Sequence, residues 1–163
     1  MRKNKVQYIS HGALIAALYV ALTYVSAASG LASGTIQLRL SEALTVLPLF
    51  TPAAVPGLTL GCFLANLTTG CLPWDIFGGT LATFLGALGT YKLKNVPYAG
   101  AAPPIISNTL IVPFLLKFAY QLDGTLPYFM LTVGIGELIS CGVLGTLLTS
   151  VLRRNSKRFI FNR

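Results

Sequence analysis

Polar positions along the chain are gathered into a few places and leave long apolar stretches between them. Segments 6–38, 43–74, 76–91, 95–116, 124–136 and 138–152 contain no Asp, Glu, Lys or Arg. About 20 mainly apolar residues are needed to cross the hydrocarbon core of a bilayer. The pattern predicts six transmembrane helices: helix 1 at about 8–28, helix 2 at 41–50, helix 3 at 53–68, helix 4 at 74–93, helix 5 at 102–120 and helix 6 at 127–152. A connection over 29–40, rich in Gly and Ser, leads to Ser41, read as an N-cap with Glu42 in the first turn, where a negative charge suits the helix dipole. Helix 2 is short and ends near the prolines of PLFTPAAVP. Pro73 and Asp75 open helix 4, and Asp123-Gly124 marks the turn before helix 6. No internal repeat and no composition shift divides the chain, so residues 1–163 read as a single integral membrane domain.

Residues 1–34 also have the outline of a secretory signal, with basic MRKNK, an apolar stretch and the small residues SAASGLASG. Their apolar stretch, Tyr8 to Ala28, is longer than the usual h-region of about 7–15 residues and long enough to span. It is expected to be the first transmembrane helix.

Composition supports the membrane reading. The chain is 54% hydrophobic and 10% charged, with mean hydropathy +0.72, whereas a soluble domain carries about 25% charged residues. The net charge of +8 could suggest nucleic acid, but ten of the twelve basic residues fall in three flanking clusters. These are Arg2, Lys3 and Lys5; Lys92 and Lys94; and Arg153, Arg154, Lys157, Arg158 and Arg163. Six spans with the N-terminus inside put all three clusters on the cytoplasmic side, as the positive-inside rule requires. Both termini are then cytoplasmic, and Glu42, Asp75, Asp123 and Glu137 all face the outer half. Cys62, Cys71 and Cys141 show neither CxxC spacing nor a metal-ligand pattern, so no disulfide framework, metal or cofactor is expected.

Glu137, in VGIGELISCG, is the strongest single signal, because an ionisable group inside a membrane helix usually faces a partner or a polar cavity. It could also be a structural carboxyl that holds helices together. Arg39 and Glu42, spaced i to i+3, read either as a local ion pair or as the rim of a cavity. Asn66 and Asn108 are intramembrane amides that could bond across helices or to a ligand. Trp74, beside Asp75, suits an interfacial belt or a stacking surface. Ala13, Ala17 and Ala21 make a small-residue stripe on helix 1, fit for close approach of another helix, in this chain or another. No P-loop, HExxH or GxSxG is present, so no nucleotide hydrolysis or other enzyme activity is expected of the chain.

The segment IQLRLSEALTVLPLFTPAAVPGLTLGCFLANL, with WDIFGGTLATFLGA and GELISCGVLG, resembles the QueT family of queuosine-precursor transporters. The resemblance extends from helix 1 to helix 6. It implies a six-helix substrate-binding S component of an energy-coupling factor transporter in the bacterial cell membrane. Such a component joins a transmembrane coupling subunit and two ATPase subunits. Ala13, Ala17 and Ala21 match the family's alanine face for the coupling subunit. The implied ligand is a 7-deazaguanine: the 7-aminomethyl or 7-cyano compound, or queuine. Glu137 or Glu42 would accept its ring N–H and exocyclic amine, and Arg39 or an asparagine would donate to the carbonyl. Asp75 is the acid nearest to hand for an aminomethyl cation, and Trp74 or Tyr128 would stack. A self-contained oligomeric secondary transporter is the main alternative, although no inverted repeat of the kind common in such carriers is visible. A membrane enzyme or assembly factor using Glu137 and His11 is a third reading, opposed by the opposite ends at which the two residues fall.

Overall fold

The computed structural model describes residues 2–31 and 36–155. Lys157, Arg158, Arg163, the side chains of Arg2 and Lys3, and residues 32–35 of the connection after helix 1 lie outside the described residues. Every regular element among the described residues is helical. Helix 1 runs Arg2–Ala28, helix 2 Leu40–Leu49, helix 3 Ala54–Thr68 and helix 4 Pro73–Lys92. Helix 5 runs Ala102–Phe114 and continues as a π turn over Leu115–Ala119. Helix 6 passes from Leu126–Glu137 through a π segment, Leu138–Leu144, into Gly145–Arg154.

The helices therefore fall where the apolar pattern predicts. Three of them, Lys5–Ala28, Ala102–Ala119 and Leu126–Arg154, are long and apolar enough to cross a membrane. Helices 2 and 3 are apolar but shorter. Helix 4 has 20 residues, but Gly78, Gly79, Gly86, Gly89, Thr80, Thr83 and Thr90 dilute its hydrophobicity.

Helix 2 departs from expectation. It is a 3-10 helix of ten residues that continues through Pro48, although such helices seldom exceed one turn or so. Three residues per turn align positions i and i+3, so Glu42, Thr45 and Pro48 form one row and Ser41, Leu44 and Leu47 another. All six are buried. The helix lies in the middle of the bundle, against helices 1, 3, 4 and 6, which explains why it is apolar nearly all round. Ser41 does not cap it: the N-cap position is Arg39, without a side-chain cap. The Ser41 hydroxyl instead accepts from Thr23 Oγ1 at 2.9 Å, and the Leu40 amide is held by Ser26 Oγ at 2.8 Å.

Helix 1 turns Ile15, Ala16, Tyr19, Thr23 and Ser26 inward, while Ala13, Ala17 and Ala21 are exposed. The alanine stripe is thus not used for packing within the chain. Helix 3 instead meets helix 1 through Gly57 and Gly61. A Cβ on Gly57 would lie 2.7 Å from the Gly12 carbonyl, and one on Gly61 would lie 2.8 Å from Tyr19 Cβ. Small residues at such crossings let backbones approach where packing, not water exclusion, drives association.

Gly61→Val should lower the unfolding midpoint of the detergent-purified protein by the equivalent of about 1–3 kcal/mol, the usual cost of overpacking. Gly142→Ala is the control. Its Cβ would meet nothing closer than 3.8 Å, and its midpoint should move far less.

Candidate functional site

The buried row of helix 2 delivers Glu42, 2% exposed, to the centre of the bundle. A carboxylate there is tolerable only with donors around it. Tyr19 of helix 1 donates its hydroxyl to Glu42 Oε1. Asn108 of helix 5 directs Nδ2 to Glu42 Oε2 at 3.5 Å and to Glu137 Oε1 at 2.9 Å. One amide, with its two hydrogens, therefore bridges two carboxylates from different helices. Cys141 lies one turn beyond Glu137, with Sγ 3.1 Å from Glu137 Oε2 and 3.4 Å from the Glu42 carbonyl. Thr45 Oγ1 donates to that same carbonyl at 2.6 Å and lies 3.3 Å from Cys141 Sγ. The π segment starts at Leu138, immediately after Glu137. Such segments are rare and recur at functional sites.

A second group forms where helices 3, 4 and 5 meet. Asn66, 2% exposed, donates Nδ2 to the Asp75 carbonyl at 3.4 Å, and Asp75 is itself 6% exposed. Tyr120, just past the π turn of helix 5, donates its hydroxyl to Asp75 Oδ2 at 2.9 Å. Gln121, with φ of 51°, turns the chain sharply after Tyr120.

Arg39 lies within electrostatic reach of both groups. Its charge is close enough to act on Tyr19, Asp75, Cys62 and Glu42, and it reaches Glu137 as well. Among the described residues its guanidinium makes no hydrogen bond or ion pair, so the local Arg39–Glu42 ion pair is not formed there; only the backbone joins the two, the Glu42 amide donating to the Arg39 carbonyl at 3.0 Å. A half-buried guanidinium with five unused donors is an arrangement ready for an acceptor.

Of the residues singled out from sequence, the structure brings Glu42, Asn108 and Glu137 together, joins Asn66 to Asp75, and sets Arg39 near both groups. Trp74 is not brought in. It is 72% exposed, whereas Asp75 beside it is buried. Tyr128 is 43% exposed and stacks edge-on with Phe129. Tyr19, Tyr120, Thr45 and Cys141 were missed. Cys141 could have been found from its i+4 spacing to Glu137 and Thr45 from its i+3 spacing to Glu42, whereas nothing local marks either tyrosine. One ligand atom from each of Glu42, Glu137 and Cys141 lies within 4.8 Å of the others, a spacing that could hold a metal ion. No spacing along the chain marks this grouping. In the structure, hydrogen bonds from Tyr19, Asn108 and Cys141 already engage these carboxylates.

A family model, that of the QueT transporter, matches residues 9–154. The chain belongs to the QueT transporter family. Both polar groups and Arg39 fall inside the matched region. The chain is also 35% identical over 86 residues to a protein of Lactococcus lactis subsp. cremoris (strain MG1363) named queuosine precursor transporter QueT. That match covers 52% of this chain and 50% of the relative, so it spans about half the relative's length. No solved structure matches the chain significantly.

Asn108→Leu removes the donor shared by Glu42 and Glu137. It should destabilise the ligand-free protein by about 1–3 kcal/mol, the cost of orphaning a buried acceptor. Trp74→Leu should change stability by no more than about 0.5 kcal/mol, as for an ordinary exposed position. Thermal unfolding of the two variants in one detergent makes the comparison.

Proposed function

We propose that this chain is the substrate-binding S component of an energy-coupling factor importer, and that it captures a 7-deazaguanine queuosine precursor from outside the cell. The observation that carries the reading is the pair of buried carboxylates, Glu42 and Glu137, bridged by Asn108 near an Arg39 guanidinium that is unpaired among the described residues. A guanine-like edge offers a ring N–H and an exocyclic amine side by side, matching the two oxygens of one carboxylate. Glu137 takes that edge, Glu42 and Asn108 hold it in place, and Arg39 donates to the ring carbonyl. The Lactococcus relative, named for a queuosine precursor, supports the same ligand class.

The chain works as a multi-pass protein of the bacterial cell membrane, with six spans and both termini cytoplasmic. It carries no ATPase of its own and draws energy from a transmembrane coupling subunit and two ATPases. The exposed stripe of Ala13, Ala17 and Ala21 supports this, because a small-residue face left unused by its own bundle suits an incoming helix.

Glu137→Gln should weaken binding of 7-aminomethyl- and 7-cyano-7-deazaguanine by about 30-fold or more, the scale for removing one partner of a buried charged contact. Calorimetry on the detergent-purified protein measures it, and unchanged affinity would dismiss the assignment. Ala17→Trp should leave binding intact yet abolish uptake in cells. Ion-gradient-driven transport by the chain alone in liposomes would favour the self-contained carrier instead.

A further inference from the structure

The two polar groups differ in what they leave unused. In the Glu42–Glu137 group every carboxylate oxygen already accepts a hydrogen bond. In the second group, Asp75 Oδ2 is taken by Tyr120, but Asp75 Oδ1 accepts nothing among the described residues. The Asn66 side chain spends its amide hydrogens on Asp75 O and Cys62 Sγ, and its carbonyl oxygen is equally unpartnered. Both side chains are more than nine-tenths buried. Among the described residues, only Thr109 Oγ1 is fully enclosed without a hydrogen-bond partner. The free oxygens of Asn66 and Asp75 must therefore face space that a small group can enter. Gly79 helps to keep that space open, since a Cβ there would lie 3.0 Å from Asn66 Nδ2 and 3.2 Å from Asp75 Oδ1.

The unpartnered oxygens of Asp75 and Asn66 make a buried acceptor site, beside which Arg39, whose charge reaches Asp75, makes no side-chain hydrogen bond among the described residues. The site suits a cationic donor group, because a charged N–H donor to a carboxylate is the strong form of hydrogen bond. It would serve a nitrile poorly, since a nitrile only accepts. We infer that Asp75 Oδ1 and Asn66 Oδ1 form a subsite for a protonated amine on the ligand's side arm, distinct from the carboxylates that read the ring. Tyr120 is a positioning residue, which fixes Asp75 through Oδ2 so that Oδ1 is presented. The assignment rests on the deazaguanine reading above and divides its ligand between two acids.

The test compares 7-aminomethyl- and 7-cyano-7-deazaguanine on one purified protein by calorimetry. Asp75→Asn should weaken the aminomethyl compound by about 30-fold or more and leave the cyano compound within about threefold, the affinity change equivalent to an ordinary 0.5 kcal/mol substitution. Retained cyano binding also shows that the variant is folded. Equal loss of both ligands in a protein with wild-type thermal stability, or loss of neither, would overturn the subsite and leave the general reading standing. If Asp75→Asn proves unfolded, Asn66→Ala decides by the same ratio, with selective loss of the aminomethyl compound expected and equal effects counting against it. If the wild-type protein binds neither compound, the deazaguanine reading fails and the subsite fails with it.

Discussion

The arrangement turns on one buried carboxylate. Glu42 sits on the innermost helix, where an ion without partners would cost several kcal/mol, so the surrounding helices must supply donors. Helix 1 supplies Tyr19 and helix 5 supplies Asn108. Each requirement reaches further into the fold. Tyr19 can lie against helix 3 only because Gly61 has no side chain. Asn108 can reach both acids only because helix 6 brings Glu137 up against helix 2, with Gly145 packed on Val46 beyond it. Close helix crossings and the polar centre are thus two aspects of one constraint.

The form of helix 2 follows from the same demand. An α-helical turn of 3.6 residues would swing Thr45 about 60° away from Glu42, whereas three residues per turn keep them in one row. In that row Thr45 and Cys141 close around the Glu42 carbonyl. The helix is a poor solvent-facing element but a workable core, because its neighbours cover almost every side.

Much of this was legible in the sequence. Charge-free runs and proline punctuation located the helices, since a buried or membrane-crossing segment cannot carry unpaired charge. The same logic made Glu42, Glu137, Asn66 and Asn108 conspicuous, as polar residues in apolar company. Other features were hidden because they depend on rotation about helix axes. Trp74 and Asp75 are adjacent in sequence, yet one is exposed and the other buried, so proximity to an acid said nothing about stacking. Tyr19 looks like one more apolar residue of helix 1 until the bundle places its hydroxyl at Glu42. The 3-10 form of helix 2 and the π segment after Glu137 leave no mark on local composition. Both are imposed by tertiary packing, which overrides propensity.

The Arg39 guanidinium, unpaired among the described residues, gives the candidate site its direction. A structural ion pair would have joined it to Glu42, three residues away, at little cost in chain entropy. Instead Glu42 is committed to Tyr19 and Asn108, and the guanidinium is left, among the described residues, with its donors unused within electrostatic reach of both acidic groups. If the carboxylates served only to tie helices together, Arg39 would be their most economical partner, and holding it apart would weaken the fold for no return. A donor held in reserve beside acceptors held in reserve is what a polar, two-ended ligand requires. The missing internal pairing therefore weighs more heavily for a binding site than any single buried acid does.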